Sequence, residues 1–165
     1  MRTFLIAAAA ALVANAAAAQ GAAVTADLKN GASAVIGKVT VTEAPKGVLL
    51  RVEAKGLAPG WHGLHFHEKA DCSKADFTSA GGHVHGAGDR VHGLLNPKGN
   101  ETGDLPNLYV GADGSGATEA FSGLLTLAAL KDADGSAVVI HANPDDHLAQ
   151  PIGGAGARVA CAEIH

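Results

Sequence analysis

Aromatic side chains are scarce, with four Phe, one Trp and one Tyr making up 4% of 165 residues. A core of packed rings is excluded, and the interior has to be built from Val, Leu, Ile and Ala. Basic residues number 12 against 16 acidic ones and form no run or stripe, so the electrostatic footprint that nucleic acid requires is missing. At 17% charged residues the chain also lacks the charge excess that keeps segments unfolded. With roughly 100 to 200 residues per domain, the length leaves room for one domain and no second. Nothing in the sequence sets an oligomeric state.

The apolar share of 47% overstates the core, because ten alanines fall within the first nineteen positions. Met1-Arg2-Thr3 supplies a short positive start, Phe4 to Val13 an apolar stretch too short to span a bilayer, and Ala17-Ala18-Ala19 a small-x-small site before Gln20. Residues 1–19 therefore read as a cleaved secretory signal and 20–165 as the mature domain, which has a formal charge of −5 once Arg2 is removed. An Ala-rich N-terminal helix or membrane anchor is the weaker reading, since no stop-transfer stretch follows. The mature protein is expected to be periplasmic or secreted, with no membrane partner. In an oxidising compartment Cys72 and Cys161 pair by default, the alternative being two buried thiols.

Period-two patterning dominates what remains. In residues 47–54, Val48, Leu50, Val52 and Ala54 share one face, while Leu49, Arg51 and Glu53 share the other. Residues 34–42 repeat the pattern with Val35, Val39 and Val41, and Glu43 to Gly47 form a hairpin-length break. Further strands are predicted at 24–28, 62–67, 116–121, 136–141 and 157–163, and no helical stripe is sustained. The fold class is all-β, an antiparallel β-sandwich or flattened barrel. Two Gly-, Asp-, Asn- and Pro-rich segments, 68–110 and 142–156, break the rhythm, and loops of that length are functional rather than connective.

Histidine is what the chain has in excess: nine residues, eight of them between His62 and His147. His65-Phe66-His67 puts two imidazoles on one face of a strand, within reach of one ion. His83 and His92 bracket the Gly-rich part of the long loop, Asp104 follows, and His141 ends the apolar run Ala137 to Ile140. Imidazole-rich ligation without a usable thiolate favours copper or zinc over iron–sulfur or calcium.

These residues carry a resemblance. The motifs Trp61-His62-Gly63-Leu64-His65-Phe66-His67-Glu68, Ser79-Ala80-Gly81-Gly82-His83, Gly103-Asp104-Leu105-Pro106-Asn107-Leu108, Val138-Val139-Ile140-His141 and Gly156-Ala157-Arg158-Val159-Ala160-Cys161 are similar to those of exported bacterial copper/zinc superoxide dismutases. The resemblance spans most of the mature chain. It implies a Greek-key β-sandwich, a fold that general accounts of β-sandwiches assign to this enzyme family. It further implies copper held by His65, His67, His83 and His141, and zinc held by His83, His92 and Asp104. Arg158 would sit beside the copper, Cys72 would pair with Cys161, His62 would be a structural hydrogen-bonder, and Asp145 would link ligands of the two metals.

One departure stands out: Glu101 occupies the position where the family pattern has a third zinc histidine. A carboxylate binds zinc at a similar bond length, so Glu101 completes a two-His, two-carboxylate set in one reading; His85 replaces it in a second, and the site is weak or empty in a third. Superoxide is the substrate implied, with Arg158 orienting the anion and His83 carrying a proton. Lys69 and Lys74 are candidates for steering it. His85, His147 and His165 match no motif and read as surface residues, with an accessory metal- or haem-capturing site as the alternative. The competing functions are a periplasmic copper-sequestering or delivery protein, and an adhesion-type sandwich.

Overall fold

The computed structural model describes residues 21–165, so the leader expected at 1–19 lies outside the described residues. Strands β1 (Ala23–Asn30), β2 (Val35–Ala44) and β3 (Gly47–Ala54) form an antiparallel meander. In β3 the alternation holds from Val48 onward, with Val48, Leu50 and Val52 fully buried. In β2, Val39 and Val41 are buried as expected, but Val35 is 57% exposed. The cause is a register shift between Leu28 and Lys29 of β1, which pairs Leu28 with Gly37 and Lys29 with Val35. Beyond that bulge the side chains no longer keep the inward face.

The rest of the chain adds β4 (Gly60–His62), β5 (Leu64–His67), β6 (Leu108–Val110), β7 (Gly116–Ser122), β8 (Ser136–His141) and β9 (Arg158–Ile164). A single helical turn, α1 (Leu127–Leu130), is capped by Thr126, whose hydroxyl oxygen accepts from the Ala129 N–H. Strand order is β4-β6-β7-β3-β2-β1-β9-β8-β5. Its two ends, β4 and β5, are consecutive in the chain and separated only by Gly63, so one bent strand closes the sheet on itself. The non-sequential neighbours β3–β7 and β1–β9 are the Greek-key crossovers. The strand predicted at 62–67 is thus two half-strands. Gly63 sits at the bend because a Cβ there would lie 2.8 Å from the Ala155 side chain and 3.3 Å from the His65 ring.

The main core is aliphatic, with Phe66 its one aromatic member among the described residues. A second cluster of Phe77, Ala80, Ala137, Val139 and Cys161 forms where the long loop lies over the outer face of β8. Both faces of β8 are therefore covered and all six of its residues are buried. The Cys72–Cys161 disulfide, with Cα atoms 5.9 Å apart and a sequence separation of 89, fastens that loop to β9. By loop-closure entropy it contributes on the order of 4 to 5 kcal/mol to stability.

Candidate metal centre

Strand β5 turns Phe66 into the core and His65 and His67 outward, yet all three are fully buried, because the long loop lies over them. The loop docks by backbone bonds: Phe66 N–H donates to Gly103 O and Val84 N–H to Phe66 O, both at 2.9 Å. Gly103 allows the approach, since a Cβ there would lie 2.4 Å from Phe66 O. His83 is thereby bridged to His67, and Asp104 to His65. From the other side, β8 delivers His141 at its last residue.

Four imidazoles, His65, His67, His83 and His141, bring ring nitrogens within 4.8 Å of one another. Hydrogen bonds fix which nitrogen faces inward. His67 Nδ1 donates to Gly81 O at 3.1 Å, and His141 Nδ1 to Gly156 O at 3.0 Å. Their Nε2 atoms, left as acceptors, face each other at 3.4 Å. His65 Nε2 donates to Asp145 Oδ2 at 2.8 Å, which leaves His65 Nδ1 buried without a partner, as is His83 Nε2. Lone pairs converging with no donor between them repel unless a cation lies among them. Burial, reinforced by neighbouring imidazoles, pushes His65 down to about 4 and His141 down to about 3, and holds His67 well below the usual histidine range. All three are neutral, ready to ligate, at physiological pH.

A second set, His83, His92, Glu101 and Asp104, has the opposite electrostatics. Glu101 Oε2 lies 2.8 Å from His83 Nδ1 and 2.9 Å from His92 Nδ1, and Asp104 Oδ1 lies 2.9 and 3.1 Å from the same atoms. His92 Nε2 donates to Asp145 Oδ1 at 3.0 Å. Burial opposes charge on His92, but the hydrogen bonds to Asp104, Asp145 and Glu101 outweigh it and raise the imidazole to about 11. His83 is raised by the same balance of burial against Asp104 and Glu101. Two nitrogens and two carboxylate oxygens this close match the donor set and the edge lengths of a tetrahedral zinc site.

Asp145 joins the two sets through its two oxygens and is itself fixed by Asn107, which accepts from Asp145 N–H at 2.9 Å and donates to Asp145 O at 2.8 Å. His62 spans the carbonyl oxygens of Ala58 and His141 at 2.8 and 2.6 Å. Arg158, at the start of β9, donates to Phe77 O and to Gly81 O, the carbonyl that also orients His67. Its guanidinium lines a cleft of about 250 Å³ with Asp76, Thr78, Gly156 and Ala157. Lys69 and Lys74 are exposed and do not line that cleft. A larger hollow of about 800 Å³ along β1, β2, β3 and β7 holds none of the histidines.

His85 is not part of the second set: its Nδ1 donates to Gly86 O, and its Nε2 lies 3.5 Å from Glu68. His147, expected at the surface, is half-buried. Its ring is 19% exposed, its Nδ1 sits 3.4 Å from Asp145 Oδ2, and its backbone N–H donates to Asp145 Oδ1 at 2.7 Å. Residues the sequence reading passed over are Asn107, Glu68 and Arg90. The first two lie inside the motifs that carry the resemblance, which was the available signal.

A family model described as copper/zinc superoxide dismutase matches residues 35–164. The chain belongs to the copper/zinc superoxide dismutase family. A superoxide dismutase [Cu-Zn] of Caulobacter vibrioides is 60% identical over 146 residues, covering 85% of this chain and 84% of that protein. One from Aquifex aeolicus is 40% identical over 145 residues, covering 84% of each. The crystal structure of a SOD-like protein from Bacillus subtilis superposes with a TM-score of 0.80 at 35% identity, covering 86% of this chain and 97% of that one. Copper and zinc are the cofactors of this superoxide dismutase, and the two buried clusters have the donor atoms each ion favours.

Proposed function

We propose that in this superoxide dismutase His65, His67, His83 and His141 hold the copper, while His83, His92, Asp104 and Glu101 hold the zinc. The observation that carries this is the convergence of four buried imidazoles, three of them neutral, with His65 Nδ1 and His83 Nε2 left without any hydrogen-bond partner. When bound, copper supplies one-electron redox chemistry, by which one superoxide is oxidised to dioxygen and another reduced to hydrogen peroxide, while zinc supplies charge without redox.

The chain's own residues provide capture, orientation and protons. Arg158 spends one N–H of each terminal nitrogen on Phe77 O and Gly81 O, which fixes the guanidinium plane and leaves its other donors for the anion in the cleft. His83 is held at Nδ1 by two carboxylates and has a free, buried Nε2, so a proton placed on Nε2 has only the reaction space to go to. Asp145 fixes the rings of His65 and His92 together, keeping the two clusters in register. A copper store would need the imidazoles alone; the placement of Arg158 beside them favours turnover. Residues 1–19 act as the secretory signal, and the mature chain from 20 onward works in the periplasm or outside the cell, where the Cys72–Cys161 bond persists.

Arg158→Ala is expected to retain copper, lower the rate about tenfold and flatten its dependence on ionic strength, because the lost charge acts on an anion. A rate unchanged from the parent would remove Arg158 from the mechanism.

Acid separates the two metals. His92 and His83 are raised, so below their folded-state values protons hold the second site and zinc must displace them. Zinc affinity therefore falls steadily as pH drops through neutrality. His83 is shared by both sites, but at the copper ligands His65 and His141, which stay neutral down to about 4 and 3, protons compete only in stronger acid. Metal content per chain, measured beside activity during a titration from pH 7 to about pH 4, is expected to show zinc leaving first. Loss of copper before zinc, or binding of neither metal, would refute the assignment.

A further inference from the structure

Outside the two clusters, Glu68 leaves β5 directly after His67 and binds both arms of the long loop. Its N–H donates to Gly82 O at 3.0 Å, and its Oε2 accepts from Gly82 N–H at 3.0 Å, so the residue before His83 is held twice. Its Oε1 accepts from Arg90 Nη2, two residues before His92. The guanidinium lies against Gly82 so closely that a Cβ there would be 1.9 Å from Arg90 Nη1, and a Cβ at Gly81 would be 2.8 Å from Glu68 Oε2. A side chain at 82 would thus displace the Arg90 guanidinium from its present place. With 26% and 46% of their side chains exposed, Glu68 and Arg90 form the kind of ion pair that adds little to global stability. What is unusual is its place, since one carboxylate fixes the approach of His83 and of His92 together.

We propose that Glu68 and Arg90 form a clasp that sets the spacing of His83 and His92 before zinc arrives, so that the ion binds a preassembled site. The clasp is a positioning device and rests on the reading of His83 and His92 as zinc ligands. Without it, the entropy of bringing two loop arms together falls on the binding step and weakens affinity. Groups that orient metal ligands are typically worth about 10- to 100-fold in affinity.

The test uses the full mature chain with its disulfide intact, comparing wild type with Glu68→Ala, Arg90→Leu, Arg90→Lys and Gly82→Ala. Zinc affinity is measured by competition with a chelator, the visible spectrum of Co²⁺ in the zinc site is recorded, and melting temperature is followed separately. Glu68→Ala and Arg90→Leu are expected to weaken zinc by at least about tenfold and to change the cobalt bands. Gly82→Ala, which pushes Arg90 away without removing a charge, should reproduce Arg90→Leu. Arg90→Lys should recover part of the loss. In the metal-free chain, the Gly82 amide should exchange faster with solvent in Glu68→Ala. Zinc affinity within twofold of wild type in both Glu68→Ala and Arg90→Leu overturns the clasp, whatever the melting temperatures do. Absence of zinc from the wild type itself overturns the assignment of the zinc ligands, and the clasp with it. Arg90→Leu, at a half-exposed position, keeps the test decisive if Glu68→Ala does not fold.

Discussion

His141→Ala is expected to abolish dismutation, a loss of about a thousandfold or more, because catalysis by the metal is removed rather than merely slowed. The chain should still fold. His141 is the last residue of β8, alanine is tolerated there, and the contact given up inside the protein is the bond from Nδ1 to Gly156 O. Zinc should be retained, since His141 belongs to the first cluster only. His65→Ala should abolish activity equally but disturb more. It strips the donor from Asp145 Oδ2, a buried carboxylate that also orients His92, and an unsatisfied buried acceptor costs about 1 to 3 kcal/mol. The pair therefore separates copper ligation from the link between the sites. Metal content, activity and the closed disulfide are measured together, and most of the activity persisting in either folded variant would defeat the copper assignment.

How far these positions were legible in the sequence depended on what each signal encodes. Period two gave β3 and β8 their boundaries, and it put His65 and His67 on one face, because a strand forces that geometry on i and i+2. It gave no warning of Gly63, where one predicted strand becomes two half-strands with different neighbours. Strand β6 was absorbed into the long loop, being only three residues long and set among turn residues. α1 escaped for a similar reason: four residues carry no period. Val35 kept the pattern on paper and lost it to a bulge at the adjacent Ile36, which the alternation of apolar residues does not reveal.

In the site, sequence spacing could not bring His83, His92, Asp104 and His141 together, since the bridges that do so join residues far apart in the chain. The resemblance supplied that grouping instead. His147 looked like a surface histidine because it sits in a polar loop, whereas the fold turns it toward Asp145. Glu68 and Arg90 were passed over, because no spacing in the sequence shows that they pair.

Glu101 is where this chain departs from its family's pattern, and there the expected effect is on zinc. Its Oε2 lies within 2.9 Å of both His83 Nδ1 and His92 Nδ1, and only 8% of the residue is exposed. Burial raises its carboxyl, but the bonds from His83 and His92 prevail and hold it below the usual carboxylate range, ionised and able to bind a cation. Glu101→Gln keeps the shape and removes the charge, so zinc affinity should fall about a hundredfold at pH 7, with the two imidazoles also losing part of what keeps them protonated. Glu101→His restores the imidazole found in the family's pattern and should retain or raise zinc occupancy. Copper should respond less to either change, because His65, His67 and His141 sit on β5 and β8 and do not touch residue 101. The measurements are zinc and copper per chain after dialysis against a weak chelator. Unaltered zinc occupancy in Glu101→Gln would reduce Glu101 to a loop carboxylate that holds imidazole protons, leaving His83, His92 and Asp104 to bind zinc alone.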